Sequence, residues 1–294
     1  MEDKQRIEQL NPLDIILKSF GQIMLQENRW TGLLFLVGLF LGSWQYGVAS
    51  LLAVVVGNAT AMVFKFDQDE IRAGIYGFSA ALVGVVLPFL FEMTVLIWLL
   101  VVVGGSFAAI LQHFFIQKKI PAYTFPFILV SWLLIFGIQQ YTSTAASSLV
   151  QWGVDFKGYE ILLLGTKAYG QVIFQGGIWG GILFFIAVFI HSKVGAVYAL
   201  LSAYLGALLG MLFGFPQQAV EMGIFGFNPV LTAIVFAGPK LKNAVWILIG
   251  VVLTFLVQMI LLETNVLSLF GGVLTFPFVA GTWLTLILKK CIQK

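Results

Sequence analysis

Charged residues are scarce in this sequence of 294 residues, where only 10% are Asp, Glu, Lys or Arg. A soluble globular protein carries about a quarter of its residues as charges, because its surface must face water. Here 60% of the residues are hydrophobic and the mean hydropathy is +0.99. The shortage of charge excludes an ordinary soluble domain and predicts that most of the surface faces a lipid bilayer.

Cysteine and histidine are also rare, and catalytic motifs are missing. Cys291 is the only cysteine, which excludes an intramolecular disulfide and a thiolate metal site. His113 and His191 fall near the ends of apolar segments, and no P-loop, HExxH or GxSxG pattern occurs. The formal net charge of +3 is too small for a nucleic-acid-binding surface. We therefore expect no enzyme activity, no cofactor or metal, and no nucleic-acid partner.

Acidic residues are almost missing from the apolar segments. Glu92 and Glu263 come nearest, at positions that suit the membrane interface. Pumps and ion-coupled transporters usually place ionisable groups inside the membrane. The sequence therefore favours a passive pathway over an ion-coupled one.

Long apolar runs make up most of the chain, and they predict membrane-spanning α-helices. Hydrocarbon offers no hydrogen-bond partners, so a chain that crosses it must be helical or form a closed barrel. The runs lack the period-2 alternation of barrel strands. We predict an all-α polytopic membrane protein with ten apolar segments, near 31–43, 46–64, 75–91, 94–116, 122–142, 178–190, 195–214, 223–238, 243–262 and 270–288.

Four parts follow from this pattern. Residues 1–20 have apolar residues at helical spacing between charged ones, which predicts an N-terminal interfacial helix. A first membrane repeat is predicted over 21–150, a polar connector over 151–168 and a second membrane repeat over 169–294.

An internal repeat relates the two halves. Residues 20–36 read FGQIMLQENRWTGLLFL and residues 169–185 read YGQVIFQGGIWGGILFF. Residues 74–82, GIYGFSAAL, match residues 223–231, GIFGFNPVL. Both blocks have one offset, since 171 − 22 and 227 − 78 are each 149.

A third block, Thr-Phe-Pro-Phe, occurs at 124–127 and again at 275–278, with an offset of 151. Three ordered blocks at nearly one offset indicate that the halves are duplicated. Five segments per half is an odd number, so the second half would enter the membrane from the opposite side. This predicts an inverted repeat whose functional site lies near the midplane between the halves.

Two kinds of polar residue recur at matched positions. Gln22 and Gln171 stand beside apolar helices, where an amide must find hydrogen-bond partners. They either join helices or, as their symmetry favours, face one shared passage. Thr124 and Thr275 precede prolines, which free a carbonyl four residues earlier. The symmetric pair favours broken half-helices that line a wet cavity over two simple kinks.

Phenylalanine and leucine also recur in pairs. Phe78 with Leu82, and Phe227 with Leu231, are spaced i to i+4 and so share one helical face. Such pairs ordinarily pack a core. In matched positions they also suit the walls of a flat apolar slot for a planar solute.

These blocks resemble the urea transporter family, in order and over nearly the whole chain. The resemblance rests on Gly21-Gln22 through Asn28 and Gly32, Gly74 to Phe78 with Leu82 to Gly84, Tyr123 to Phe127, Gly170-Gln171 with Trp179, Gly223 to Asn228 with Leu231, and Thr275 to Phe278.

The resemblance implies facilitated diffusion of urea through a slot lined by aromatic rings and a ladder of oxygen atoms. It implies a homotrimer in which each protomer holds one pore between two inverted five-helix repeats with re-entrant half-helices. By matched position it also implies the site: Gln22 and Gln171 at the vestibules, Phe78, Leu82, Phe227, Leu231, Phe174 and Leu25 at the walls, and Thr124 and Thr275 at the pinch point. The single cysteine and the short loops favour a bacterial inner membrane.

Alternatives to urea stay open at this point. Leu25 stands where the family has Phe, Ser79 stands where it has Asn, and Pro229 follows Asn228. These differences are compatible with another small neutral solute, such as a short amide, ammonia or water. An ion-coupled secondary transporter is a third hypothesis, and a structural or sensor protein is a fourth.

Overall fold

The computed structural model describes residues 11–148 and 159–292. Within these ranges the secondary structure is helical, apart from one isolated bridge between Phe91 and Ala146. The first half contains α1 (Pro12–Gln22), α2 (Arg29–Gly42), α3 (Trp44–Val63), α4 (Gln68–Arg72), α5 (Phe78–Leu90), α6 (Val95–Gln117) and α7 (Phe125–Tyr141). The second half contains α8 (Glu160–Gln171), α9 (Ile178–His191), α10 (Lys193–Leu212), α11 (Gln217–Glu221), α12 (Phe227–Phe236), α13 (Leu241–Thr264), a 3-10 helix (Ser268–Phe270) and α14 (Phe276–Ile292).

The two halves have the same order of helices with nearly the same lengths. Helices α1 to α7 have 11, 14, 20, 5, 13, 23 and 17 residues. Helices α8 to α14 have 12, 14, 20, 5, 10, 24 and 17 residues. The packing partners also correspond, since α3 contacts α5 and α6 as α10 contacts α12 and α13. The duplicated sequence therefore folds twice into the same helical unit.

A serine separates two apolar helices in each half. Ser43 lies between α2 and α3, and Ser192 lies between α9 and α10. Their hydroxyl oxygens accept hydrogen bonds from the N–H groups of Gln45 (3.2 Å) and Gly195 (3.1 Å). Such a cap satisfies a donor that has no partner within the helix. A long apolar stretch is thereby divided into two helices.

Four helices, α3, α6, α10 and α13, are long and apolar enough to cross a membrane. A spanning helix needs about 20 residues for a hydrocarbon core of roughly 30 Å. The apolar helices α2, α5, α7, α9 and α12 have 10–17 residues. All ten predicted apolar segments contain a helix, and the prediction of an all-α polytopic membrane protein is confirmed. The segments differ in length because polar caps and turns interrupt several of them.

Large apolar side chains cover the outside of the long helices. On α6, Val103 is 44% and Phe107 is 56% exposed; on α13, Leu248 is 53% and Ile260 is 56% exposed. Exposing so much apolar surface to water is unfavourable, whereas hydrocarbon solvates it. This is the surface of an integral membrane protein.

Two of the predicted boundaries between parts of the chain fall inside helices. Helix α1 ends at Gln22 rather than near residue 20, and its Ile15 and Phe20 are buried. Helix α8 begins at Glu160, inside the predicted connector, because Leu164 and Tyr169 give it a buried face. Residues 1–10, the first half of the predicted interfacial helix, lie outside the described residues. So do residues 149–158, which include the start of the predicted connector. The division into four parts stays a prediction.

Candidate functional site

Thr124 and Thr275 meet at the contact between the halves. Each precedes the first residue of a helix, α7 or α14, and each is almost fully buried. Their hydroxyl oxygens lie 2.7 Å apart and share a hydrogen bond. The sequence predicted both residues for one site, and the structure brings them together. No solute fits between two oxygen atoms at this separation, so a solute at this level would move alongside the pair.

The prolines of the two Thr-Phe-Pro-Phe blocks start helices. We predicted that they interrupt apolar segments and free the carbonyls four residues earlier, and this was wrong. Pro126 and Pro277 occupy the second position of α7 and α14, where a helix has no use for the missing N–H. The carbonyls of Ala122 and Val273 accept hydrogen bonds from the N–H groups of the residues that begin the helices, at 2.9 and 3.0 Å.

Gln22 and Gln171 are the last residues of α1 and α8. The Nε2 of Gln22 donates to the Ala73 carbonyl at 2.9 Å, and the Nε2 of Gln171 donates to the Met222 carbonyl at 3.1 Å. The two acceptors are also 149 positions apart. Each glutamine therefore bonds within its own half, to the turn that precedes α5 or α12. These bonds use one amide hydrogen each and do not involve the amide oxygen.

Leu25 and Phe174 occupy matched turns after α1 and α8. Both have left-handed backbone conformations, with φ of 60° and 57°. A bulky residue in this region is strained by roughly 1–3 kcal/mol, which persists only where the surroundings impose it. The Phe174 ring lies 5.1 Å from Phe89 and 6.3 Å from Phe127, centroid to centroid. Phe174 therefore reaches from the second half to two rings of the first half.

Phe78 and Phe227 begin the short helices α5 and α12, and the buried Leu82 and Leu231 follow one turn later. These four side chains belong to one continuous apolar core, together with Phe174.

Matched glycines, Gly74 and Gly223, set the turns that lead into these two helices. Their φ angles are 75° and 80°. A Cβ at Gly74 would lie 2.4 Å from the Ser19 nitrogen, and one at Gly223 would lie 2.5 Å from the Ala168 nitrogen. Only glycine lets these turns pack directly on the backbone of α1 and α8.

Reciprocal contacts join the halves around the threonine pair. The indole N–H of Trp132 donates to the Gly272 carbonyl at 3.0 Å, and that of Trp283 donates to the Pro121 carbonyl at 2.8 Å. Both the donors and the acceptors are related by the offset of 151. We did not single out these tryptophans from the sequence, although the matched offset of Trp132 and Trp283 was a usable signal.

Ring contacts repeat the same reciprocity. Phe125 contacts its own counterpart Phe276 with ring centroids 6.1 Å apart, and Phe35 contacts its counterpart Phe184 at 5.1 Å. A residue that touches its own counterpart is typical of an isologous interface. The two halves therefore meet face to face along equivalent surfaces.

The ten predicted site residues carry no ionisable group, since they are Gln, Leu, Phe and Thr. The described residues contain no group of three or more His, Cys, Asp or Glu placed to hold a metal ion. The ten side chains therefore offer hydroxyls, amides and apolar surfaces, and none of them carries a charge.

The fold defines a polytopic helical membrane protein. The family model described as "Urea transporter" matches residues 13–290. The chain belongs to the urea transporter family.

Relatives with which the chain shares sequence include "Urea transporter 1" of Rattus norvegicus and of Mus musculus, each 24% identical over 254 residues. These alignments cover 81% of this chain and 65% of each relative. "Urea transporter 1" of Capra hircus is 24% identical over 251 residues, covering 80% of this chain and 65% of the relative. The chain thus spans less than two thirds of the length of these relatives.

Proposed function

We propose that this chain is a passive pathway for urea along a narrow route between its two halves. The observation that carries the proposal is the hydroxyl pair of Thr124 and Thr275, 2.7 Å apart within the apolar core. Two hydroxyls that bond each other share one hydrogen and keep the second hydrogen and several lone pairs. The pair is satisfied without solute and can exchange hydrogen bonds with one, so it avoids the cost of an unpaired buried group.

The chemistry of urea fits these groups. Urea is planar, with one acceptor oxygen and four N–H donors. Hydroxyl and carbonyl oxygens along one edge of the route accept those donors, while Phe78, Phe174 and Phe227 provide flat apolar walls. A hydrated ion would lose its water there without gaining equivalent ligands. The amide oxygens of Gln22 and Gln171 would receive the solute at the two vestibules.

The proposed route requires an inverted repeat with one pore in each protomer. The reciprocal tryptophan bonds and the contact of Phe35 with its counterpart Phe184 support a two-fold relation between the halves. The odd number of apolar segments per half supports an axis that lies in the membrane plane. A site near such an axis is reached from both sides of the bilayer.

The assembly and the host membrane are proposed from family membership and from the sequence. We propose a homotrimer in a bacterial inner membrane, although the named relatives are mammalian. Light scattering corrected for detergent tests the assembly, because a trimer contains three copies of a 32.4-kDa chain. A mass of one or two copies would contradict it.

Stopped-flow light scattering of proteoliposomes tests the function. A sudden urea gradient shrinks the vesicles, and a urea pathway speeds their recovery relative to empty liposomes. The matched control is the Thr124→Val/Thr275→Val protein, which keeps the shape of the pair and removes its oxygens. Folded unchanged protein with no more urea flux than empty liposomes would contradict the proposal. Uphill accumulation driven by a proton or sodium gradient would replace it with the ion-coupled alternative.

A second candidate solute has an observation of its own. Leu25 occupies the turn that in the second half holds the Phe174 ring, with nearly the same backbone angle. The first half therefore presents a branched aliphatic side chain where the second half presents a flat ring. A less planar wall favours a different small neutral solute, such as acetamide or formamide. A panel of these solutes in the same vesicles ranks them against urea.

A further inference from the structure

Asn228 and Ser79 occupy matched positions, one residue into the short helices α12 and α5. Both are completely buried. Each is followed by a buried glutamine on the next long helix. Gln112 of α6 comes 33 positions after Ser79, and Gln258 of α13 comes 30 positions after Asn228. The two halves thus place a polar residue and a glutamine at one junction, but only one half has an amide at the first position.

In the second half the side-chain amide of Asn228 forms hydrogen bonds with the backbone on both sides of Thr275. The Nδ2 of Asn228 donates to the Leu274 carbonyl at 3.4 Å, and its Oδ1 accepts from the Phe278 N–H at 3.2 Å. Leu274 comes directly before Thr275, and Phe278 follows it by three positions. Because Phe278 lies in the first turn of α14, its N–H has no partner within the helix. Asn228 therefore acts as a cap supplied by another helix.

Gln258 orients that amide. Its Oε1 accepts a hydrogen bond from the Nδ2 of Asn228 at 3.2 Å, and its Nε2 donates to the Ile224 carbonyl at 2.8 Å. With one partner donating and the other accepting, the Asn228 amide has a single orientation that satisfies both ends. The network joins α12, α13 and the start of α14 without a charge.

The first half lacks this network. The Ser79 hydroxyl and the Oε1 of Gln112 are buried, and neither has a hydrogen-bond partner. The shorter serine side chain does not supply the amide that Gln258 meets in the other half. An unsatisfied buried polar atom is costly and rare in native proteins.

We propose that Asn228 is a positioning residue for Thr275, and that Gln258 holds Asn228 in the required orientation. The proposal rests on the proposed function, since Thr275 is assigned to the solute route there. In the second half the Asn228 side chain bonds the backbone on both sides of Thr275, whereas the Ser79 hydroxyl at the matched position of the first half forms no hydrogen bond. The second half then determines where the hydroxyl pair stands, and so which solutes pass it.

The test is a double-mutant cycle on solute selectivity. Asn228→Ser gives the second half the residue that the first half has, and Thr275→Val removes the hydroxyl that Asn228 is proposed to position. We expect Asn228→Ser to change the ratio of urea to methylurea permeability by about two- to tenfold, the range that one neutral hydrogen bond is worth. In the Thr275→Val background the same change should leave that ratio unaltered, because the two residues act through one group.

Thr254→Val is the matched control. It breaks another buried hydrogen bond between α12 and α13, the 2.8 Å contact of the Thr232 and Thr254 hydroxyls, which does not involve the start of α14. Comparable destabilisation with an unchanged permeability ratio is expected for this variant. An equal ratio change in Thr254→Val would overturn the proposal, because selectivity would then follow stability alone.

A second variant tests the same role if Asn228→Ser does not fold. Gln258→Met has nearly the same shape as the native side chain and releases the Asn228 amide, so it should shift the ratio in the same direction. Additive ratio changes in the cycle, or unaltered ratios in folded Asn228→Ser and Gln258→Met, would refute the positioning role while urea flux in the unchanged protein stands. Loss of urea flux in the unchanged protein would instead refute the proposed function.

Discussion

The two halves have the same backbone fold but differ in the side chains that support it. At the turn before α5, the Tyr76 hydroxyl donates to the Glu70 carboxylate and lies 3.1 Å from the Nδ1 of His113. The His113 ring stacks on Phe66 with centroids 3.7 Å apart. The first half therefore has a cluster of a half-buried acid, a buried phenol and a half-buried imidazole at the turn that leads into α5.

The matched positions of the second half hold apolar residues. Ala219, Phe225 and Met259 stand at the positions of the acid, the phenol and the imidazole, and Phe215 packs on Phe225 with centroids 4.5 Å apart. Both clusters support the same turn and the same short helix. The comparison teaches that the repeated fold needs its glycines and prolines in both halves, whereas hydrogen bonds and apolar contacts can replace each other in the supports.

The largest effect is expected where the halves do not differ. Gly74→Val and Gly223→Val should each abolish accumulation of folded protein, because each puts a Cβ within 2.4 or 2.5 Å of a backbone nitrogen and forces a branched residue to φ near 80°. Size-exclusion chromatography of a fluorescent fusion measures folded protein in the membrane extract.

Two other glycines serve as controls. Gly214→Ala has the same positive φ of 75° but open space around the new Cβ, and Gly137→Ala has open space within a helix. We expect Gly214→Ala to lose a small part of the folded protein and Gly137→Ala to lose none. Tolerance of valine in one half alone would show that the repeat is less strict than the matched angles indicate.

The next effect comes from exchanging the clusters. Phe225→Tyr introduces a hydroxyl among apolar side chains without an acceptor, so it should lower the free energy of unfolding by about 1–3 kcal/mol. Thermal unfolding in detergent, followed by near-UV circular dichroism, measures this change. Adding Ala219→Glu and Met259→His should recover part of the loss, because the second half then has the partners of the first. Full stability of Phe225→Tyr alone would mean that the apolar cluster is accessible to water.

Ser79→Asn should make the first half more like the second. The new amide is expected to give Gln112 the partner that Gln258 has, raising the free energy of unfolding by about 0.5–1.5 kcal/mol. The same unfolding measurement detects it, with Ser79→Ala as the control that only removes the unpaired hydroxyl. A loss of stability in Ser79→Asn would show that Tyr123, the counterpart of Leu274, leaves no room for the amide.

The smallest effect concerns the wall beside Leu25. Leu25→Phe gives the first half the ring that Phe174 supplies in the second. It should raise the ratio of urea to acetamide permeability by about two- to fivefold, less than the roughly tenfold or more that one methylene is worth in a closed pocket, because only one wall changes. The rates at which vesicles recover their volume after shrinkage in each solute give the ratio, with Leu25→Met as the control of similar volume. If the ratio does not move, Leu25 does not shape the route.

Sequence reasoning recovered the repeat and the membrane helices because both are local signals. Apolar runs report burial or lipid directly, and a shared offset needs no structure. The pairing of Thr124 with Thr275 was also within reach, because residues at equivalent positions near a two-fold axis must approach each other. The role of the prolines was misjudged, since it depends on whether the chain has already turned before Pro126 and Pro277.

The junction of Asn228 with Gln258 and Phe278 could not be predicted in the same way. These residues are separated by 30 and 50 positions, and an isolated buried amide has many possible partners. Trp132 and Trp283 form an intermediate case. Their matched offset was visible, but their acceptors are backbone carbonyls, which carry no sequence signature.

The amino-acid sequence by itself determined that this protein lies in a membrane, that it consists of two similar helical halves, and which residues recur between them. Charge content, apolar length and repetition are sums over neighbouring residues, so they survive without coordinates. Only the tertiary structure decided that the hydroxyls of Thr124 and Thr275 touch, that the prolines begin helices, and that one half is held by an amide network the other lacks. Those are contacts between distant parts of the chain, and hydrogen bonds depend on distance and direction rather than on composition.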